Sequence, residues 1–436
     1  MHITSRRSTL SKIALDSMRE TYLSFKSGNA DARDFSSVPP YFGFSLTGCI
    51  GWKASWDERL CFMTFLFHFL KTTLLTGENK AQERGKIMVQ LARANRVALE
   101  KYITTSNNDL NEGLGLQKGF ISVYRTKEKA VQALKEVHIF GEEAELLSRN
   151  EAIDLEPKLA DLPLKESYYV HRKDDQAADC AELIRSMIHS FRDDKMISYV
   201  NDNGLVQDIR MTRAEDPYSH HRFQVALSDG AIHEFDHVIL TAGIFSPIWA
   251  KKISWRAGQS CPIFPLRGYS LTLFTKSKEN TPFLKKGMSF DSIYCTSVAP
   301  NMVRLTGFGE IAGFPDGGID VCRKVGPMVL DKYANYIFGK DAVSDIDSAT
   351  LPCFRPMSPD DVPLVGSIRA VPGLFIHSGH GTLGWTLSLA TAHCLAQDVC
   401  NEIMGFEERD SYILPDSTCI HKSHISPDRF RIIPFF

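Results

Sequence analysis

Arg355 stands in the run Phe-Arg-Pro-Met-Ser-Pro-Asp, where the following proline restricts it to extended backbone and stiffens the turn that carries it. A fixed guanidinium can clamp a carboxylate with two parallel hydrogen bonds. The alternative is a structural salt bridge to Asp360 or Asp361. Arg267, in Pro-Leu-Arg-Gly-Tyr-Ser, invites the same two readings, and Tyr269 shares its face if the strand is regular. His380 lies between two glycines, where its ring meets a ligand or solvent. Gly379, Gly381 and Gly384 precede an apolar helix, so backbone N–H groups at its N-terminus are open to an anionic or electron-rich group and a bulky planar ligand can approach closely. Trp385 reads first as core and second as a stacking partner. Thr241-Ala242-Gly243 ends an apolar strand and fits a nucleotide lying over a sheet edge, as many α/β strand ends do.

These residues need elements to position them. HVILTAG, 237–243, is an apolar strand of the parallel-sheet kind. IFPLRGYSLTLF, 263–274, alternates as an antiparallel strand, and shorter candidates follow at 293–298 and 302–307. Asp229-Gly230 between two alternating runs signals a hairpin. Helices are expected at 80–103, 128–137 and 179–191, with a capping box at Ser148 and Glu151 opening another. A last helix runs from Gly384 to about Met404, with Gly405 as its stop. The apolar run 60–75 carries His68 and Lys71 and falls short of the roughly 20 residues of a membrane span, so it reads as a buried or interfacial helix. Gly307 to Gly313 reads as a turn of the second sheet, and the tail from Glu407 as extended along the surface.

The 436 residues carry 50 Lys and Arg against 52 Asp and Glu, which supplies no broad field for nucleic acid. A small, discrete ligand is the better expectation. Ten cysteines are scattered without Cys-x-x-Cys pairs or zinc-ligand spacing, so no metal site is expected and the thiols read as reduced in an intracellular, cytoplasmic protein. The Arg- and Ser-bearing residues 1–19 resemble a transit peptide and leave mitochondria as the alternative, although Asp16 argues against it. Nucleophile elbows, kinase signatures and histidine pairs for metals are missing, and the first hundred residues hold neither G-x-G-x-x-G nor a P-loop.

FRPMSPDDVPLVG and GLFIHSGHGTLGWTLS, together with PLRGYSLT, RLTGFGEIAGF and DLEPKL in the same chain order, resemble the FAD-dependent D-amino-acid dehydrogenase small subunit of the D-amino-acid oxidase superfamily. The likeness covers about Trp56 to Gly405. It implies an α/β (α+β) fold in which a Rossmann-like FAD-binding domain, incomplete at its N-terminus, is interleaved with an antiparallel or mixed-sheet substrate domain. The implied division is an atypical segment at 1–55, substrate domain with a helical insertion at 56–176, FAD-binding parts at 177–250 and 351–405, substrate domain at 251–350, and a tail at 406–436.

By the same resemblance Thr241, Ala242 and Gly243 lie against the nucleotide. Gly379, His380, Gly381, Thr382, Leu383, Gly384, Trp385 and Thr386 wrap the flavin ring. Arg355 matches the carboxylate-binding arginine, and Tyr269 and Arg267 fall in the substrate-sheet motif, Arg267 replacing the family's lysine. His380 completes the candidate catalytic set. The implied reaction oxidises a D-amino acid to its imino acid by hydride transfer to flavin N5. The partners would be an amino acid and an electron acceptor that is oxygen, a quinone or a carrier protein, with membrane-surface contact through the apolar helix in view. Two alternatives stand beside this: a flavin-free homologue acting as a binding protein, and a related amine oxidase of glycine or sarcosine type. The family's phosphate-binding loop belongs to its first βαβ unit, and residues 1–55 do not resemble it.

Overall fold

The computed structural model describes residues 42–44, 49–50, 54–75, 77–105, 114–161, 167–193, 205–212, 222–274, 283–290, 293–311, 313–315, 325–338, 351–407 and 409–431. The chain divides into two compact units, each assembled from three separate stretches. The first comprises Met1–Gly48, Asn107–Leu183 and Leu266–Phe354, and the second Cys49–Ser106, Ile184–Pro265 and Arg355–Phe436. The chain crosses between them inside the strands Phe264–Phe274 and Leu351–Met357 and inside the helix Cys180–Asp193.

The first unit is built on a mixed sheet. Its path runs Leu351–Met357, Phe264–Phe274, Met302–Ile311, Ile293–Ala299, Gly287–Phe290, Gln117–Tyr124, Tyr168–Ala177, Ala144–Leu147. Neighbours from Phe264–Phe274 to Gly287–Phe290 are antiparallel, Gly287–Phe290 runs parallel to Gln117–Tyr124, and the remaining pairs are antiparallel again. Strand alternation directs Tyr269, Leu271, Leu273, Val303 and Leu305 into one buried cluster, which the helix Val325–Phe338 closes with Val329, Leu330, Tyr333 and Ile337. The capping box forms as the sequence requires: Ser148 Oγ accepts from Glu151 N at 3.3 Å while Glu151 Oε2 accepts from Ser148 N at 2.7 Å.

In the second unit, Leu364–Ser367 pairs antiparallel with Leu374–Ser378, which pairs parallel with Val238–Leu240. The expected apolar strand is therefore present and parallel. It stands at the end of its sheet with Ile239 exposed. The Asp229-Gly230 hairpin joins Phe223–Leu227 to Ile232–Phe235, with Ala231 N donating to Asp229 Oδ1 at 2.9 Å. The helices Trp56–Leu75, Glu78–Thr105 and Gly384–Met404 complete the unit. The first two lie here, among the stretches expected to bind FAD, rather than with the first unit.

Four expectations change. The run from Gly307 is no turn: it continues the strand Met302–Ile311, and the bulge between Gly307 and Gly309 sets Phe308 at φ 56°. The Arg-Pro segment is the strand Leu351–Met357, since both prolines and arginine tolerate extended backbone. The tail is packed: Ser411–Ile413 and Cys419–His421 form a hairpin, and Tyr412, Leu414, Ile420, Ile425 and Phe430 are buried. Within the loop-like 1–55 segment, Phe42–Phe44 is a strand parallel to Gly309–Ile311. Residues 197–200, Ile-Ser-Tyr-Val, read in sequence as a short strand and lie outside the described residues.

Gly326, in the first turn of Val325–Phe338, seats the Tyr269 ring, because a Cβ there would lie 2.3 Å from Tyr269 Cδ2. The clash cannot relax toward solvent, since Tyr269 is fully buried. Gly326→Ala is expected to destabilise by about 1–3 kcal/mol, the usual cost of overpacking. Urea unfolding beside the parent chain measures it.

Candidate active site

Strand Leu374–Ser378 runs into Gly379 and Gly381, then a short 3-10 turn, then the helix Gly384–Met404. Gly379 has φ 77° and Gly381 φ 56°, the left-handed region that side chains avoid. A Cβ on Gly379 would meet Leu364 Cδ1 at 2.6 Å, and one on Gly381 would meet Met357 Sδ at 2.8 Å. These two glycines serve the fold. Gly384 and Gly243 differ: nothing lies within 4 Å of a Cβ built on either. They face open space, where a planar ring can lie against backbone.

The helix Gly384–Met404 has no side-chain cap at its N-terminus. The first-turn N–H groups of an α-helix have no partner inside the helix, so this start favours negative charge placed before it. Spacing from Gly379 to Gly384 is also G-x-G-x-x-G, following a strand and opening a helix. A search confined to the first hundred residues misses it. Ser378 Oγ donates to the Gly243 carbonyl at 3.0 Å, so the Thr241–Gly243 strand end and the 379–384 loop are held side by side. Thr241, Ala242 and Thr382 are exposed, and Leu383, Trp385 and Thr386 half-buried.

Asn95, from the helix Glu78–Thr105, supports that helix start from behind. Its Oδ1 accepts from Leu389 N at 2.8 Å and Ala390 N at 3.3 Å, and its Nδ2 donates to the Trp385 carbonyl at 3.3 Å. Trp385 C=O and Leu389 N–H are the pair a regular helix joins directly. A buried amide side chain therefore meets both halves of a helical hydrogen bond beside the site. Nothing in the local sequence of residues 80–103 signals this, because a polar position on an amphipathic helix reads as solvent-facing.

His380 does not face a ligand. Its Nε2 lies 2.9 Å from Thr391 Oγ1, as does His377 Nε2, and Thr391 donates its hydroxyl proton to the Leu387 carbonyl at 2.9 Å. Thr391 Oγ1 is thus the shared hydrogen-bond partner of both imidazoles and ties them to the helix Gly384–Met404. Burial pushes His380 down to about 3, with His377 adding to the shift, and burial pushes His377 down to about 4. Both rings are neutral near pH 7. His380 thus anchors the loop, and its backbone bridges antiparallel to Met357.

Arg355 lies two residues before that bridge, half-buried, with no hydrogen-bond or ion-pair partner among the described residues. The expected structural alternative is not formed, because Arg429 holds Asp360 instead. Its Nε donates to Asp360 Oδ2 at 2.9 Å and its Nη2 to Oδ1 at 3.0 Å, with further bonds to the carbonyls of Val362 and Pro363. In the first unit Arg267 and Tyr269 are consumed structurally. Both are buried; Arg267 pairs with Glu310, its register partner across the sheet, and Tyr269 Oη donates to Glu310 Oε1 at 2.6 Å. Among the described residues no group of His, Cys, Asp and Glu could hold a metal ion.

The loop thus brings together two glycines facing open space, a helix start without a side-chain cap and a guanidinium without a partner among the described residues. The profile of the family described as FAD dependent oxidoreductase, DAO, matches residues 70–398, and the chain belongs to that family. It is 27% identical over 286 residues to D-amino acid dehydrogenase of Chromohalobacter salexigens, covering 64% of this chain and 63% of that one. Against D-amino acid dehydrogenase of Allorhizobium ampelinum it is 26% identical over 329 residues, 74% and 72% of the two chains. The fold is similar to that of glycine oxidase from Bacillus cereus, with a TM-score of 0.57 and 19% identity over 75% of this chain and 83% of that one.

Two predictions follow from the supports around the loop. Asn95→Leu removes all three of these hydrogen bonds and is expected to cost about 1–3 kcal/mol, the penalty of stranded buried polar groups; thermal unfolding with and without added FAD measures it. Because the His380 value lies below that of an unfolded histidine, the unfolded chain binds the extra proton first as pH falls through about 6.5. Stability is therefore expected to fall from pH 6.5 toward about 4, by up to ~1.4 kcal/mol per unit for one such group. His380→Gln flattens that slope in chemical denaturation across the range.

Proposed function

We propose that the chain oxidises D-amino acids, with Arg355 as the clamp for the substrate carboxylate. The observation that carries this reading is the guanidinium of Arg355, without a partner among the described residues, two positions from the Met357–His380 bridge, while Arg429 holds Asp360. The two relatives bearing the name D-amino acid dehydrogenase support it.

The residues of the loop fit a flavin. Gly243 and Gly384 offer backbone without side chains against the ring. The N-terminus of Gly384–Met404 favours the electron-rich edge of the ring system, where negative charge grows on reduction. When bound, FAD supplies the two-electron acceptor for the Cα hydride. Arg355 binds the carboxylate through charge-assisted bonds and so fixes the direction in which the Cα–H points. The neutral, Thr391-bound His380 neither gives nor takes a proton near pH 7, so the amine proton leaves to solvent. The imino acid then reacts with water to give the keto acid and ammonia.

The test is anaerobic mixing of the FAD-loaded chain with D-amino acids while the visible flavin band is followed. Bleaching by D- but not L-amino acids is expected. Arg355→Ala is expected to retain the flavin band and to lose bleaching efficiency by on the order of 10²-fold, the value of a charge-assisted bidentate contact. Undiminished bleaching in that variant would remove the clamp. A chain that takes up no flavin would favour a binding role instead.

A further inference from the structure

The helix Trp56–Leu75 is apolar on two opposite faces. Cys61, Phe62, Phe65 and His68 are buried in the second unit, with Phe62 against Phe264 at 5.1 Å and His68 against Phe430 at 5.2 Å between ring centroids. On the outer side Trp56, Leu60, Met63, Phe67, Leu70 and Leu74 are between 36% and 78% exposed. Their spacing alternates four and three residues along the whole helix, the a and d pattern of a coiled-coil seam. Scattered surface hydrophobics are ordinary, but a continuous heptad stripe marks an interaction site.

We infer that this stripe is the self-association surface of the protein, joining two copies through an antiparallel pair of Trp56–Leu75 helices. The stripe is complementary to itself in that orientation. Running antiparallel about the helix centre, Trp56 meets Leu74 of the second copy, Leu60 meets Leu70, and Met63 meets Phe67. Every a position faces a d position. The flanks agree: Asp57 and Lys71 both take the e position, and an antiparallel pair places e against e, so Asp57 lies near Lys71 of the second copy, twice by symmetry. Asp57 Oδ1 is held by Lys251 Nζ at 2.5 Å, and its carboxylate retains half its exposure and a second oxygen. The six side chains offer on the order of 700 Å² of apolar surface per copy, near the ~800 Å² per partner of a specific interface.

A lipid surface is the competing occupant, and the charge pattern disfavours it. Interfacial helices flank the apolar face with several basic residues. Here Asp57 and Glu58 sit at one end, Lys71 alone at the other, and Arg59 is turned onto the Trp56 ring at 5.3 Å. Among the described residues no single helix is long and apolar enough to cross a membrane.

Sedimentation equilibrium of the full chain with FAD present tests the inference. A dimer at micromolar concentration is expected, and Phe67→Glu is expected to give a monomer with unchanged far-ultraviolet circular dichroism. Lys71→Asp should weaken association about fivefold to tenfold, as two exposed ion pairs are replaced by repulsion, and Asp57→Lys combined with it should restore affinity. A parent chain that stays monomeric to about 100 μM, well above the dissociation constants of specific interfaces, overturns the proposal. So does a double variant as weak as Lys71→Asp alone. Co-sedimentation with phosphatidylcholine and phosphatidylglycerol vesicles, lost in Phe67→Glu without a dimer forming, would assign the stripe to lipid instead.

Discussion

The bidentate clasp of Arg429 on Asp360 holds the segment that follows Arg355. Asp360 is one of the two acids that the sequence offers as a partner for Arg355. With both of its oxygens taken, and with Arg429 also bound to the carbonyls of Val362 and Pro363, the turn between the Arg355 strand and Leu364–Ser367 is fixed. The guanidinium at 355 has no partner among the described residues. That division of labour depends on the C-terminal segment, whose own packing through Ile425 and Phe430 brings Arg429 into place.

The other buried charged cluster works in the opposite way. Arg267 and Glu310 are register partners on adjacent strands, both nearly inaccessible, with Tyr269 bonded to the same carboxylate. Removing two charges from water costs several kcal/mol per ion before any attraction offsets it. Such a pair specifies strand register within the sheet, since a slip of one residue would bury each charge alone. Two arginines that read alike in sequence therefore differ in the structure: Arg267 meets a buried acid, and Arg355 meets none among the described residues.

Long strands and helices were legible because their periods are strong: Phe264–Phe274, the Asp229-Gly230 hairpin and Gly384–Met404 fall where the pattern puts them. The 379–384 loop was legible from its glycines, though not which of them faced open space; only the contacts of Gly379 and Gly381 separate them from Gly243 and Gly384. What stayed hidden was long-range partnership. Asn95, Thr391, Glu310 and Arg429 carry no local signature, because their roles consist of meeting groups far away in the chain. The tail was misread for the same reason: its apolar residues have no period, yet Tyr412 and Ile420 are buried by neighbours distant in sequence.

Asn95 and Trp385 are separated by 290 positions. In synthesis the ribosome releases the amide well before the helix it supports, and an unpartnered buried asparagine must wait for the last quarter of the chain. The helix start is consequently finished late, as a closing contact of high contact order. A fault in the early helix Glu78–Thr105 would then surface at the far end of the chain, at the start of the helix Gly384–Met404.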